Sequence, residues 1–165
     1  GREDFAVIVA FAVAGRVRAG WLHHPLRNVT ISAEQGGGAW AAGKRLRVAV
    51  AGAASEMTGS LGRRLRIKPE VAGRFADVIH LRSCGVEYMT LVEGGLHFAH
   101  YRRMKPWDHL AGALIHAEAG GHNGCLDGEP YRPSAPGEWG LLMAPDADSW
   151  ERVAEILRPA VAEMM

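Results

Sequence analysis

The stretch Pro106 to Gly121, reading PWDHLAGALIHAEAGG, constrains this chain more than any other. Proline suits the first turn of a helix, where a missing N–H leaves nothing unsatisfied, and a Gly-Gly pair supplies a stop. The spacing predicts about four turns of helix between them, with Trp107, Leu110, Leu114 and Ala117 as one apolar face for burial. Asp108 falls in the first turn, where the positive end of the helix dipole favours a carboxylate. Ala111, Gly112 and Ala113 carry almost no side chain. Glycine in a helix interior costs about 1 kcal/mol, so this run predicts a partner packed closely against the turn.

Upstream, Phe5 to Ala14 and Arg16 to Leu22 are rich in Val, Ile and Phe around Gly15, which predicts a strand, a tight turn and a second strand. Asn28 to Ala33 alternates apolar and hydroxyl residues as a third strand. Gly36 to Gly38 must turn, and Ala39 to Val50 gives a further hairpin through Gly43. A short helix is expected from Pro69 to Asp77, a buried strand over Val78 to Leu81, and a helix from about Ser83 to Glu93 closed by Gly94-Gly95. His97 to Arg102 then reads as the strand that delivers the chain to Pro106. Strands are also expected over His122 to Tyr131, turning at Asp127-Gly128, and over Trp139 to Met143. Asp146 to Met165 is an amphipathic helix with Trp150, Val153, Ile156, Leu157 and Val161 inward. Strands that alternate with helices argue for an α/β architecture with α+β layering, in which mixed β-sheets are sandwiched by helices. Ligands in such folds sit at strand ends and helix starts.

Trp107-Asp108, then Ala111-Gly112, then Glu118-Ala119-Gly120-Gly121 resembles the second signature of the inositol monophosphatase family of magnesium-dependent phosphatases, in both order and spacing. The apolar hairpin ending in Pro25, then Ala33-Glu34 and the glycine run, then Gly43-Lys44-Arg45-Leu46 is similar to the same family, so the resemblance covers most of the chain. It implies one domain over residues 1–165, forming the C-terminal portion of a sugar or inositol phosphatase fold that is incomplete at the N-terminus. The implied activity is Mg²⁺-dependent hydrolysis of the phosphomonoester of an inositol or related polyol, and the implied assembly is a homodimer. Relatives acting on nucleotide 3′-phosphates, histidinol phosphate or fructose bisphosphate share the Trp-Asp motif and stay open as substrate classes.

In that family the Asp of Trp-Asp is a metal ligand, which makes Asp108 the implied catalytic and metal-binding residue. The other ligands come from a Glu and from an Asp-Pro-x-Asp-Gly-Thr segment, which this sequence does not contain. The chain is therefore expected to be inactive by itself, and a non-catalytic interaction or regulatory module is the alternative. Counting back from Asp108, the family's Gly-Ser/Thr-Ala segment beside the substrate falls on Arg82, Ser83 and Cys84, and a Glu that contacts inositol hydroxyls falls on Tyr101. Both departures point away from inositol itself. Arg82, Arg102 and Arg103 could instead meet a second anionic group.

Other chemistry is excluded or disfavoured by particular residues. Lys plus Arg number 19 against 18 acids, which gives no electrostatic case for nucleic acid or an anionic membrane as partner. No apolar run reaches the roughly 18 residues of a membrane span. Two cysteines are too few for a disulfide scaffold and fit a reducing compartment, so the cytoplasm is the expected location. Gly38, Gly43 and Lys44 nearly spell a phosphate-binding loop, but Arg45 stands where a Ser or Thr is needed. Neither cysteine is followed by an arginine at the spacing of a cysteine phosphatase. His109, His116, His122 and Cys125 lack the tight ligand pairs of a zinc site. Glu118, close to the glycine stop, reads as a capping or packing carboxylate.

Overall fold

The computed structural model describes residues 4–50, 52–132 and 138–165. Its first half is a five-stranded antiparallel meander: β1 (Val7–Val13), β2 (Arg16–His24), β3 (Val29–Glu34), β4 (Gly38–Ala41) and β5 (Lys44–Arg45), in that spatial order. The turns that separate them contain the residues the chain needs at positive φ, among them Gly15 and Gly43. This is the succession of hairpins expected from the sequence, except that the last, expected over Ala39 to Val50, ends at Arg45.

A second sheet has the order β7-β6-β8-β10-β9. Its strands are β6 (Thr58–Leu61), β7 (Asp77–Ile79), β8 (Phe98–Tyr101), β9 (His122–Cys125) and β10 (Leu141–Ala144). β6 runs parallel to β7 and to β8, whereas β10 is antiparallel to β8 and β9. Single helical turns α1 (Arg63–Arg66) and α2 (Pro69–Ala72) follow β6, and the longer helices are α3 (Cys84–Val92), α4 (Pro106–Glu118) and α5 (Ala147–Ala162). Asp146 caps α5 by accepting from the Ser149 N–H at 2.6 Å.

Two apolar cores hold these layers together. One joins the inner face of the first sheet (Leu22, Ile31, Ala33) through α3 and α4 to Ala99, Leu141 and Met143 of the second sheet. The other lies between the second sheet and α5, with Met57, Phe98, Leu142, Trp150 and Leu157. The order is sheet, helices, sheet, helices, which is the layered α/β arrangement expected.

The central helix corrects one expectation. Trp107 is 69% exposed, Ala117 is exposed, and Leu110 and Leu114 are only half-buried. The buried face is instead His109, Ala111, Gly112, Ala113, Ile115 and His116. The reason is proximity. A Cβ on Gly20 of β2 would lie 3.0 Å from the Ala111 Cα, and a Cβ on Gly112 would lie 2.2 Å from the Tyr88 ring of α3. A helix wedged between a sheet and another helix needs its smallest residues at the points of closest approach, here Ala111 and Gly112, and this sets the face that turns inward. The end of α4 is as expected. Gly120 at φ +93 lets the Gly121 N–H reach the His116 carbonyl at 3.0 Å and its own N–H reach Ala117 at 2.9 Å, a Schellman ending.

Candidate functional site

Three parallel strands, β7, β6 and β8, point their carboxyl ends at one cavity of about 690 Å³. This is where open sheets with parallel strands place ligands. After β6 the chain gives Gly62, Arg63 and Arg64; after β7 it gives His80 and Arg82; and β8 ends in His100 and Tyr101, followed by Arg102 and Arg103. Asp108 and His109, in the first turn of α4, complete the far wall together with Cys84 at the start of α3.

Of the residues singled out in the sequence, Arg82, Cys84, Tyr101 and Asp108 all line this cavity. Ser83 does not. Its hydroxyl accepts from the Val86 N–H at 3.4 Å and caps α3. Asp108 is half-buried. The Cys84 thiol is pushed up to about 11, first by burial and then by the Asp108 carboxylate, so it stays protonated and is no nucleophile. Tyr101 stacks on Tyr88 with ring centres 5.3 Å apart, and burial together with the Glu87 carboxylate raises its phenol well above the ordinary value.

Arg82 occupies the left-handed region at φ +61. A side chain there costs roughly 1–2 kcal/mol that glycine avoids. This chain therefore holds a guanidinium there at some conformational cost. The loop is fixed by Glu87, buried on α3, which accepts from Ser60 Oγ at 2.5 Å and from the Leu81 N–H at 3.1 Å, with His80 Nδ1 3.5 Å away. Glu87 thereby ties β6 to the loop that carries Arg82.

His109 is held on both sides. Its Nε2 lies 2.8 Å from the Arg103 carbonyl and its Nδ1 3.0 Å from the Tyr88 hydroxyl. A carbonyl only accepts, so Nε2 carries the proton and Nδ1 takes the tyrosine O–H. Burial lowers its pKa, so the ring is a neutral brace between α3 and the 102–105 loop. His122, by contrast, rests edge-on against Trp150. Glu118 accepts from the Gly36 and Gly38 N–H groups at 2.7 and 2.8 Å, a clamp on the turn between β3 and β4, as its reading as a packing carboxylate anticipated.

Sequence reasoning missed Glu87, His80, His100, Arg63 and Arg64. The arginine pair escaped because its strand did: Thr58–Leu61 is four residues of TGSL, too short and too mixed to show a period. The described residues bring together at most part of a metal site. Among them no group of three or more His, Cys, Asp or Glu is placed to hold one, and Asp108 is a single carboxylate where a hard cation takes several oxygens.

Two five-stranded sheets interleaved with helices, with a basic cavity at the carboxyl ends of parallel strands, define a layered α/β class whose known members include phosphatases. The family model described as the inositol monophosphatase family matches residues 1–163. The chain belongs to the inositol monophosphatase family. It is 31% identical over 129 residues to a fructose-1,6-bisphosphatase/inositol-1-monophosphatase of Thermotoga maritima, covering 73% of this chain and 49% of the relative. It is 26% identical over 171 residues to an inositol-1-monophosphatase of Rhizobium meliloti, covering 98% of this chain and 61% of the relative. Among solved structures it is similar to a Thermotoga maritima inositol monophosphatase (TM-score 0.86, 25% identity, 97% of this chain and 63% of that one). The fold is also that of inositol monophosphatase II from Staphylococcus aureus (TM-score 0.83, 20% identity, 96% and 62%). The chain thus spans about half to two thirds of the length of these relatives.

Proposed function

We propose that this chain belongs to a Mg²⁺-dependent phosphatase of small phosphorylated polyols, to which it contributes Asp108 and the loops that face the substrate. The observation that supports this reading is the placement of Asp108. Its carboxylate stands at the N-terminus of a 13-residue helix and borders the basic cavity at the carboxyl ends of β7, β6 and β8. A phosphate ester there meets the positive end of the helix and the guanidiniums of the strand-end loops. A bound Mg²⁺ would screen the phosphate and position the attacking water, and the residues described here supply one of its ligands, so we propose that residues 1–165 are inactive alone. The same reading carries a homodimer and, from the free thiols of Cys84 and Cys125, a reducing compartment such as the cytoplasm. The lone carboxylate also favours a second reading, a non-catalytic interaction or regulatory module built on this fold.

The test is Mg²⁺-dependent phosphate release from a set of polyol phosphates, an inositol monophosphate among them, by the complete phosphatase to which this chain is proposed to belong, with Asp108→Asn beside it. Loss of a metal ligand is expected to lower turnover by roughly 100-fold or more, since a cation is worth several kcal/mol to the transition state, with an unchanged urea midpoint. Full turnover in the variant would remove Asp108 from the chemistry. Mg²⁺-dependent release by residues 1–165 alone would contradict their inactivity.

A further inference from the structure

We propose that His80 is the general acid of the strand-end cavity, delivering a proton to the ester oxygen that leaves phosphorus, and that Glu87 is the positioning residue that aims it. This rests on reading the cavity as a phosphoester site. His80 directly follows Ile79, the last residue of β7, so it stands at the carboxyl end of a parallel strand, on the wall of the cavity that Asp108 also lines. Its side chain is 37% exposed, whereas that of Glu87, beside it on α3, is 4% exposed. Glu87 Oε1 lies 3.5 Å from His80 Nδ1, and the same oxygen accepts from Ser60 Oγ at 2.5 Å and from the Leu81 N–H at 3.1 Å. Contacts from β6 and from the loop after β7 thus hold the carboxylate, and the carboxylate holds the ring. An ionised carboxylate only accepts, so Nδ1 keeps a proton on the Glu87 side and Nε2 is the nitrogen left for the cavity.

The other proton-bearing groups of the cavity are unsuited to this part. His109 spends both nitrogens, on the Arg103 carbonyl and the Tyr88 hydroxyl. His100 is buried, with Nε2 bonded to the Trp139 carbonyl and Nδ1 without a hydrogen-bond partner. Burial pushes the Cys84 thiol up to about 11 and the Tyr101 phenol well above its ordinary value, and arginine does not release its protons. An effective general acid titrates near the working pH, as imidazole does. The chemistry calls for such a donor, because the alkoxide of a polyol is a strong base and leaves more readily as the alcohol. A water oxygen bonds to phosphorus while the bond from phosphorus to the ester oxygen breaks. The bonding pair stays on the ester oxygen, which takes the Nε2 proton and departs as the alcohol. The attacking water gives up one proton to solvent and becomes part of hydrogen phosphate, and the neutral ring takes one proton back from solvent before the next turnover.

The experiment compares two esters, glycerol 2-phosphate and 4-nitrophenyl phosphate, as substrates for Mg²⁺-dependent phosphate release by the complete phosphatase to which this chain is proposed to belong. Nitrophenolate is a weak base and leaves without a proton. His80→Gln, at an exposed position, is expected to lower kcat for glycerol 2-phosphate by roughly 100-fold and for the nitrophenyl ester by only about threefold. Glu87→Gln keeps the side chain's shape and its acceptor oxygen but not its charge, and should show the same split in smaller measure, roughly tenfold against about twofold. A residue that merely holds the fold would lower both rates alike. A second readout needs neither metal nor turnover: nitrogen-15 spectra of the histidine rings at alkaline pH, where imidazole is neutral, should place the His80 proton on Nδ1. Equal losses on the two esters, no loss on either, or a His80 ring that carries its proton on Nε2 would overturn the proposal. A parent protein that releases phosphate from neither ester would sink the phosphatase reading and this assignment together, whereas release from both with equal losses in the variants would sink this assignment alone.

Discussion

At the scale of single residues, the buried histidines set how the protein answers to acid. His116 is fully buried on α4 with neither ring nitrogen bonded, and burial first, then the nearby His122, lowers it to about 3. His100, also buried, is lowered to about 4 although its Nε2–H donates to the Trp139 carbonyl at 2.9 Å. Both are neutral in the fold and take up a proton near pH 6.5 once unfolded. The unfolded state therefore binds more protons below pH 6.5. Stability is intact above that pH and declines as pH falls towards 4, by about 1.4 kcal/mol per pH unit for each histidine. Urea midpoints measured from pH 7 to pH 4 should show that decline, and His116→Leu should flatten it by about one proton's worth. An unchanged slope would mean that His116 is already charged in the fold. Neither histidine could be read as buried from sequence: His116 stands between Ile115 and Ala117 and His100 between Ala99 and Tyr101, and nothing in either run marks which face turns inward. Asp108 was legible because a whole pattern of residues surrounds it. Glu87 carries no motif, and its role exists only where β6, α3 and the 80–82 loop meet.

Among the elements, what the sequence made plain were those whose local chemistry agrees with their surroundings. The first sheet follows its turns: Gly15, Gly36 and Gly43 at three corners and Asn28 after Pro25 at the fourth, all at positive φ, divide the chain into five strands. α3 and α5 begin at their side-chain caps, Ser83 and Asp146, and α4 ends at Gly120. The buried face of α4 was misread because apolar periodicity measures greasiness, whereas this helix is placed by closeness. The tripeptide Ala111-Gly112-Ala113 was the better signal. Its consequence can be measured. Gly112→Ala would gain about 1 kcal/mol of helix propensity, yet its Cβ would lie 2.2 to 2.4 Å from Cδ2, Cγ and Cε2 of a Tyr88 ring that is itself fully buried, stacked on Tyr101 and bonded to His109. The ring cannot swing away without breaking those contacts. Overpacking of this kind costs about 1–3 kcal/mol or more, so urea unfolding should show a net loss of stability. A variant as stable as the parent would mean that α3 and α4 are free to part.

At the scale of the whole molecule, one face of the first sheet is left uncovered by the described residues. On the side of the first sheet away from α3 and α4, Val7, Val9 and Phe11 of β1 are about half exposed. In register across the strands, Val9 pairs with Trp21, Trp21 with Ser32 and Ser32 with Trp40, so a row of large apolar groups crosses the sheet, and the two tryptophans border a hollow of about 240 Å³. The same strands bury Leu22, Ile31 and Ala33 on the opposite side. A sheet with one face in water ordinarily alternates apolar inward with polar outward. β1 breaks that rule with apolar residues on both sides, and contiguous apolar surface of this kind marks a place where proteins make contacts. Among the described residues no helix is long and apolar enough to cross a membrane, so this row is not part of a helical span. Residues 1–165 are accordingly expected to enhance the fluorescence of 1-anilinonaphthalene-8-sulfonate while folded. Phe11→Ser with Trp21→Ser should cut that enhancement several-fold and change unfolding free energy by no more than about 1 kcal/mol, the span of strand propensity at exposed positions. Enhancement that survives both changes would mean that the dye binds elsewhere than this row.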